Sequence, residues 1–219
     1  MEPIAHIRSP FAEKFGVPRQ SGLAPHVESL LIFSPEYRHD DFVRGLQGFS
    51  HIWLIWGFHC NADAEVHATV RPPRLGGNVR VGVFATRSPF RPNGLGLSAV
   101  RLLGIDEGPV LRLAGADMVD GTPVYDIKPY LPYTDAIPDA VGGFTVTAPR
   151  TELQVSLPDA LPPDLPAGWT AALREVLAQD PRPAYQDDAE RVYHLTFHPC
   201  EVDFSVQGRE LRVLSIRLS

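Results

Sequence analysis

The stretch "RPNGLGLSAVRLLGIDEGPVLRL" (91–113) decides between two classes of fold. Its segment 94–99 matches the pattern G-x-G-x-x-A, whose glycines follow a strand and open a helix in dinucleotide-binding folds. Here Pro92 stands where that strand would have to run, and the residues after the segment are interrupted by Gly104 and Pro109. A crossover helix cannot form through such interruptions. We therefore exclude a dinucleotide-binding fold and predict short strands joined by a turn.

The chain around this stretch repeats short apolar runs between Pro and Gly residues. Such spacing is typical of an antiparallel barrel or sandwich. The run 50–59 is apolar on both faces, which predicts a central buried strand. Residues 34–49 predict a helix, with Ser34 as N-cap and Pro35 at its first position, and 69–78 predict a loop. The predicted strands are 3–9, 26–33, 50–59, 79–86, 97–105 and 110–119, and residues 122–131 close this region.

A second region begins near residue 140, where Pro and Gly become more frequent. One strand is predicted before residue 169. Residues 169–180 place apolar side chains on one helical face, and the last residues read as two or three alternating strands with a turn at Gln207–Gly208. We therefore predict a mainly β protein with an antiparallel β-barrel domain at 1–140 and a small α+β domain at 141–219.

Charge and cysteine content restrict the functional classes. The net charge is −6, but no acidic residue occurs between Glu65 and Asp106, and six arginines do. This local positive charge favours a polyanionic partner despite the acidic total, although scattered surface arginines paired with acids elsewhere are the alternative. With two cysteines, no apolar leader and no long apolar run, the sequence predicts a cytoplasmic protein without disulfides or a membrane segment.

The sequence does not support a metal site or a serine-hydrolase active site. His59 and Cys60 are adjacent, and Cys200 lies two residues after His198. Structural zinc sites use other spacings, so we predict no metal site. The G-x-S-x-G pattern of serine hydrolases does not occur in the sequence.

Two polar loops stiffened by Pro and Gly are the strongest local signal. The loop "ATRSPFRPNGLGLS" (85–98) presents arginines that suit a carboxylate or phosphate. The loop "DGTPVYDIKPYLPYTDA" (120–136), with Asp117 just before it, presents carboxylates that suit an ammonium group or ribose hydroxyls. Together the loops predict a site for a zwitterionic ligand that carries a sugar. The alternative is a pair of ordinary structural turns.

These motifs resemble those of the TrmO (TsaA-like) family of tRNA methyltransferases. The resemblance runs in order from residue 4 to residue 133 through "IAHIRSPF", "KFGVPRQ", "GLQGFSHIWLIWGFH", "RPPRLGGNVRVGVFATRSPFRPNGLGLS" and "DGTPVYDIKPYLPY". "QDPRPAYQ" (179–186) and the C-terminal strands are similar to the appendage of longer members. One departure is Gly94–Leu95, where the family commonly has Pro-Ile or Pro-Leu.

The resemblance implies a β-barrel enzyme that uses S-adenosyl-L-methionine (AdoMet). Its reaction would be methylation of N6 of threonylcarbamoyladenosine at position 37, beside the anticodon of threonine tRNAs. Family members are homodimers with the cofactor near the subunit interface. A non-catalytic AdoMet- or RNA-binding barrel, or an AdoMet-binding regulator, is the alternative.

By matching motifs, the resemblance also implies site residues. The cofactor contacts would be Pro18, Arg19, Gln20, Phe58, His59, Arg87, Leu97, Asp117, Asp120, Gly121, Thr122 and Pro123. The tRNA contacts would be Arg71, Arg74, Arg80, Arg91 and Asn93.

Transfer of a methyl group requires proximity and at most one proton acceptor. Asp126 is the candidate base, with Tyr130 as an orienting or stacking group. Alternatively, Asp126 is a structural carboxylate paired with Lys128 or Arg87.

Overall fold

The main element of the protein is a closed barrel of short strands. The structure is a computed structural model that describes residues 1–147, 152–183 and 188–219. The strands in this part of the chain are β1 (Ala5–Arg8), β2 (Glu28–Phe33), β3 (His51–Gly57), β4 (Thr69–Val70), β5 (Val81–Gly82), β6 (Leu95–Asp106), β7 (Val110–Ala114) and β8 (Pro123–Pro129). Six of them form the barrel in the order β1-β2-β7-β6-β3-β8, and β4 pairs only with β5. We refer to residues 69–82 as the β4–β5 ribbon.

Every pairing within the barrel is antiparallel, which confirms the predicted barrel class. Closure is made between β1 and β8, where Ala5 pairs with Val124. Every second side chain of each barrel strand fills the interior, because successive residues of a strand point to opposite faces of the sheet. Leu31, Leu54 and Leu111 are completely buried there.

Strand β3 alternates instead of being buried on both faces. Ile52, Leu54 and Trp56 point into the barrel and are buried, whereas Trp53 and Ile55 are half-buried on its outer face. The strand is central, between β6 and β8, as predicted. The prediction that both of its faces are buried is wrong, because an apolar run does not by itself tell how much protein covers its outer side.

Three other predictions fail for local reasons. Residues 34–49 form only single turns of helix, including α1 (Asp40–Val43), because the backbone leaves the helical region at Arg38 (ψ 65°) and is extended at His39 (φ −141°, ψ 136°), and Gly45 then adopts a positive φ of 89°. Residues 79–86 contribute only the two residues of β5, followed by a 3₁₀ turn at Val83–Ala85. The predicted strand at 110–119 ends at Ala114, since Gly115 turns the chain at a φ of 72°.

After β8 the chain forms single helical turns, α2 (Pro132–Asp135) and α3 (Phe144–Thr147), and then a second, smaller sheet. Its elements are β9 (Gln154–Ser156), α4 (Trp169–Ala178), β10 (Tyr193–Phe197), β11 (Cys200–Gln207) and β12 (Glu210–Leu218). The predicted helix and the turn at Gln207–Gly208 are confirmed, and β9 adds a parallel edge to β12. Residues 184–186 of the motif "QDPRPAYQ" lie outside the described residues.

The second sheet packs directly against the N-terminal part of the chain. Phe11 is buried in the same core as Leu173 and Phe197, and its ring centroid lies 5.4 Å from that of Phe197. The amide of His198 donates to the carbonyl of Pro10 at 2.9 Å. The barrel and the second sheet therefore share a boundary made of buried side chains. Within the described ranges, no helix is both long enough and apolar enough to cross a membrane.

Candidate functional site

A large cleft lies where the barrel, the β4–β5 ribbon and the second sheet meet. Its volume is about 1850 Å³, whereas pockets for single small ligands usually measure about 300–1,000 Å³. The space is therefore sufficient for a small ligand together with part of a larger one. The lining comes from residues 17–20, strand β3 and the turn after it, the ribbon, residues 84–91, the start of β6, residues 117–119, and the segments 141–145 and 179–182.

Asp117 supplies a half-buried carboxylate to the cleft. Ser98 Oγ donates a hydrogen bond to its Oδ1 at 2.7 Å, and Trp56 Nε1 donates to Ser98 Oγ at 3.0 Å. Burial raises the pKa of the Asp117 carboxyl group above its ordinary value. The hydrogen bond from Ser98, backbone amides and the charge of Arg87 act in the opposite direction. A carboxylate in this setting is stabilised when a ligand supplies a further hydrogen-bond donor or a positive charge.

The positive side of the cleft comes from two segments that are far apart in sequence. Arg87 donates through Nη1 to Oε1 of Gln20, and the amide nitrogen of Gln20 donates to the carbonyl of Arg19. Arg19 and Arg87 are exposed within the cleft lining, and Pro18 beside them is buried. The structure therefore brings the predicted contacts at 18–20 and 87 together.

Aromatic rings form an apolar wall of the cleft. The ring of Trp56 meets that of Phe58 in an edge contact, with centroids 4.4 Å apart. Gly96 lies under the indole, where an added Cβ would come within 2.2 Å of Trp56 Cε2. Leu97, on the outer face of β6, is 55% exposed and also lines the cleft. Flat apolar surfaces of this kind can stack on an adenine ring.

His59 and Thr122 meet at the rim of the cleft. Thr122 Oγ1 donates its one proton to the carbonyl of Val119 at 2.7 Å and lies 3.4 Å from His59 Nδ1. Burial, and secondarily His6, lower the pKa of His59, while Asp120 raises it. The net effect favours neutral His59, which can exchange hydrogen bonds without adding charge.

Asp120, Gly121 and Pro123 do not line the cleft. The Asp120 carboxylate accepts from the amide of Ser9 at 2.9 Å, and the amide of Gly121 donates to Ile7 at 2.8 Å. Pro123 pairs with β1 in the barrel closure. These residues fix the loop that carries Asp117 and Thr122.

Asp126 and Tyr130 also lie outside the cleft lining. The Asp126 carboxylate accepts from the amide of Ile127 at 2.9 Å and pairs with Lys128 at 3.5 Å. The ring of Tyr130 lies 5.5 Å from that of Trp53, which does line the cleft. The contacts of Asp126 match the structural alternative, with Lys128 as its partner.

The predicted tRNA contacts fall into two groups. Arg71, Arg74 and Arg80 are exposed on the β4–β5 ribbon and line the cleft. Arg91 also lines it, but its Nη1 donates to the carbonyls of Thr86 at 3.1 Å and of Ser88 at 3.4 Å, which braces its own loop. Asn93 is exposed and lies outside the lining.

Sequence reasoning missed Ser98 and Trp56, although one signal was available. On β6, Ser98 shares the inward phase of Val100 and Leu102, so it is a polar residue in an apolar series. It also missed Arg182, which the second sheet's domain contributes to the cleft lining and which Asp180 holds by two hydrogen bonds of 2.8 and 2.9 Å. In the described part of the chain, no group of three or more His, Cys, Asp or Glu residues is arranged to hold a metal ion.

The closed antiparallel barrel, with a carboxylate, guanidinium groups and aromatic rings around one cleft, places the protein in the β-barrel class and not among dinucleotide-binding α/β proteins. The family model described as the tRNA-methyltransferase O N-terminal domain matches residues 6–136, and the TrmO C-terminal domain model matches residues 151–219. The chain belongs to the tRNA-methyltransferase O family, which confirms the resemblance seen in its motifs.

Relatives with similar sequences carry related names. The chain is 45% identical to the tRNA (adenine(37)-N6)-methyltransferase of Escherichia coli, over 95% of this chain and 92% of that protein. It is 43% identical to a putative S-adenosylmethionine-dependent methyltransferase of Pseudomonas aeruginosa, over 85% and 83%. The crystal structure of TrmO from Pseudomonas aeruginosa superposes with a TM-score of 0.78 at 34% identity, covering 99% of this chain and 97% of that one.

Proposed function

We propose that this protein is an AdoMet-dependent methyltransferase that methylates N6 of adenine 37 in tRNA. In the finer form of the proposal, the substrate is N6-threonylcarbamoyladenosine in threonine tRNAs and the product is its N6-methyl derivative. The observation that carries the proposal is the cleft in which Asp117, Arg87 and the Trp56–Phe58 wall lie together. The names of the relatives from Escherichia coli and Pseudomonas aeruginosa support the same chemistry.

The chemical groups of the cleft fit AdoMet. Its methionine carboxylate suits Arg87 or Arg19, and its ammonium group or ribose hydroxyls suit the Asp117 carboxylate. Its adenine ring suits the apolar surface of Phe58 or Leu97. When bound, AdoMet would supply an electrophilic methyl group on a sulfonium sulfur. The contribution of the chain is to bind and orient this group next to the acceptor nitrogen.

The exposed arginines of the β4–β5 ribbon support a tRNA partner. Arg71, Arg74 and Arg80 line the same cleft, whose volume of about 1850 Å³ exceeds that of a pocket for one small ligand. Their charges would pair with RNA phosphates. Because Arg91 braces the loop that carries Arg87, we assign it to shaping this surface as well as to contacting RNA. A tRNA substrate would locate the reaction in the cytoplasm.

The domain at 141–219 is proposed to take part in binding tRNA. Gln179 and Arg182 of this domain line the cleft together with residues of the barrel. A large substrate that enters the cleft would therefore touch both domains. This assignment is tested by measuring tRNA affinity for an Arg182→Gln variant, which should bind more weakly than the unaltered protein.

We also propose that two copies associate through the outer face of the barrel near Leu97. Leu97 is 55% exposed, and Trp53 and Ile55 beside it are only half-buried. Exposed apolar surface of this kind is typical of protein interfaces. Sedimentation equilibrium should find a dimer, and Leu97→Asp should shift it to monomer.

Transfer is proposed to depend on proximity in the cleft and not on a base from β8. Asp126 and Tyr130 do not line the cleft, and the Asp126 carboxylate already has two partners. The acceptor nitrogen of threonylcarbamoyladenosine is a carbamoyl-linked N–H, which is more acidic than an ordinary exocyclic amine. Its proton can therefore pass to water once the methyl group is positioned.

The decisive experiment combines calorimetry with a labelling assay. The protein should bind AdoMet, and methyl-labelled AdoMet should label threonine tRNA that carries threonylcarbamoyladenosine. The matched control is the same tRNA transcribed without that modification, which should stay unlabelled. Absence of AdoMet binding would refute the proposal, binding without transfer would favour an AdoMet-binding regulator, and equal labelling of both tRNAs would retain adenine methylation but refute the threonylcarbamoyl requirement.

A further inference from the structure

Trp56, Ser98 and Asp117 form a hydrogen-bonded chain in the wall of the cleft. The indole Nε1–H of Trp56 donates to Ser98 Oγ at 3.0 Å, and Ser98 Oγ donates to Asp117 Oδ1 at 2.7 Å. Trp56 is 7% exposed and Ser98 is 3% exposed. These contacts join strands β3 and β6 to the loop that follows β7.

The direction of this hydrogen-bonded chain is set by chemistry. An indole nitrogen can only donate, and a serine hydroxyl carries one proton. Since Ser98 accepts from Trp56 on one lone pair, its own proton is free to go to Asp117, and Asp117 Oδ1 must be an acceptor. The arrangement therefore stabilises Asp117 as an anion with one oxygen fixed in place.

The position of Trp56 is itself determined by the barrel. Trp56 pairs with Gly96 across β3 and β6, and the indole occupies the space that a side chain at Gly96 would need. The ring of Phe58 also packs against the indole in an edge contact. The indole N–H is thereby aimed at Ser98 without depending on a flexible side chain.

We propose that Ser98 and Trp56 are positioning residues, which hold Asp117 as an oriented anion so that it can accept hydrogen bonds from the ammonium group or ribose hydroxyls of AdoMet. This inference rests on the proposed function for its ligand, but its effect on Asp117 can be measured in the protein alone. Burial raises the pKa of Asp117, and the hydrogen bond from Ser98 is the largest influence that lowers it. Removing the Ser98 hydroxyl should therefore raise this pKa further.

The test uses Ser98→Ala, with Ser29→Ala as its matched control. Ser29 lies on β2, is also 3% exposed, and its hydroxyl has no hydrogen-bond partner among the described residues. Both variants delete one buried serine hydroxyl from the barrel, but only the first deletes a partner of Asp117. Trp56→Phe, which keeps an aromatic ring and loses the N–H, serves as a second variant if Ser98→Ala fails to fold.

The first readout is the carboxyl ¹³C titration of Asp117 in the protein without ligand, assigned by comparison with Asp117→Asn. Its midpoint should move to higher pH in Ser98→Ala, move less in the same direction in Trp56→Phe, and stay unchanged in Ser29→Ala. An unchanged midpoint in both Ser98→Ala and Trp56→Phe would refute the inference, whether or not the protein binds AdoMet.

The second readout is AdoMet affinity measured by calorimetry across the acid range. Below the midpoint, Ser98→Ala should bind AdoMet about tenfold more weakly than the unaltered protein, the effect typical of one hydrogen bond to a charged group. The loss should shrink as the pH rises, because Asp117 becomes ionised in both proteins. A loss of equal size at every pH would indicate a merely structural role and contradict the inference. Absence of binding by the unaltered protein would instead overturn the proposed function.

Discussion

Gly96 is the residue on which the geometry of the aromatic wall depends most directly, and we expect Gly96→Ala to damage both stability and AdoMet binding. A Cβ at this position would come within 2.2, 2.4 and 2.6 Å of three atoms of the Trp56 indole. Ordinary contacts of a Cβ lie at 3.4 Å or more, so the ring must move by about 1 Å or more in a close-packed interior. It cannot do so freely, because Phe58 packs against it.

The magnitude follows from two contributions. Forcing an extra methyl group into a well-packed core costs about 1–3 kcal/mol, and loss of the hydrogen bond from Trp56 to Ser98 adds about 1 kcal/mol. We therefore expect the free energy of unfolding to fall by about 2–4 kcal/mol, which corresponds to a decrease in Tm of about 4–16 °C for a chain of this size. AdoMet affinity should fall because the indole no longer directs Ser98.

The assay is urea unfolding monitored by circular dichroism, with Gly82→Ala as the control. Gly82 also lies in a strand, but an added Cβ there meets no atom within 4 Å, so its stability should change by no more than about 0.5 kcal/mol. Replacing Trp56 by Leu should make Gly96→Ala much less harmful, since the atoms that clash are then absent. A Gly96→Ala protein as stable as Gly82→Ala, or an equal penalty in both Trp56 backgrounds, would refute the reasoning.

Three further predictions concern charged groups. Burial raises the pKa of Asp117 in the folded protein, so ionisation of this carboxyl group lowers the free energy of unfolding as the pH rises from its unfolded-state pKa to its folded-state pKa. Asp117→Asn should therefore unfold at a higher urea concentration at pH 7 and bind AdoMet at least tenfold more weakly. An unchanged AdoMet affinity would contradict the role of Asp117 in binding. Arg74→Ala should weaken tRNA binding and reduce the slope of log K against log salt by about one. Arg44→Ala, at an exposed arginine of the barrel domain that does not line the cleft, should leave the slope unchanged. Equal slopes for both variants would remove Arg74 from the RNA surface. Asp126→Asn should retain methyl transfer within about threefold in single-turnover assays, and a loss of 10²-fold or more, typical of a general base, would show that it acts in the chemistry.

Local sequence was sufficient for most of the strands and for the rejection of a dinucleotide-binding fold. The spacing of apolar residues correctly predicts which side chains of β2 and β6 point inward. It also correctly predicts the amphipathic helix α4. Local sequence failed at 34–49, where Ser34 and Pro35 suggested a long helix. The backbone leaves the helical region at Arg38 and is extended at His39, which the capping pattern at Ser34 and Pro35 does not reveal.

The contents of the cleft were only partly accessible from sequence. The two polar loops could be found by their composition, and the structure does bring Arg87 and Asp117 into one lining. Composition could not distinguish Asp117 from Asp120 and Asp126, which are the same residue type a few positions away. Hydrogen bonds from Ser9 and Ile127 engage the latter two carboxylates, and neither faces the cleft.

The sequence by itself determined the class of fold, the positive segment and the family of the chain, because these depend on residue type and on spacing along the chain. Only the tertiary structure decided that Ala5 pairs with Val124 to close the barrel, and that Trp56, Ser98 and Asp117 form one hydrogen-bonded chain. The physical reason is that a hydrogen bond of 2.7 Å depends on strand register and loop direction, and both are set by packing between segments that are distant in sequence.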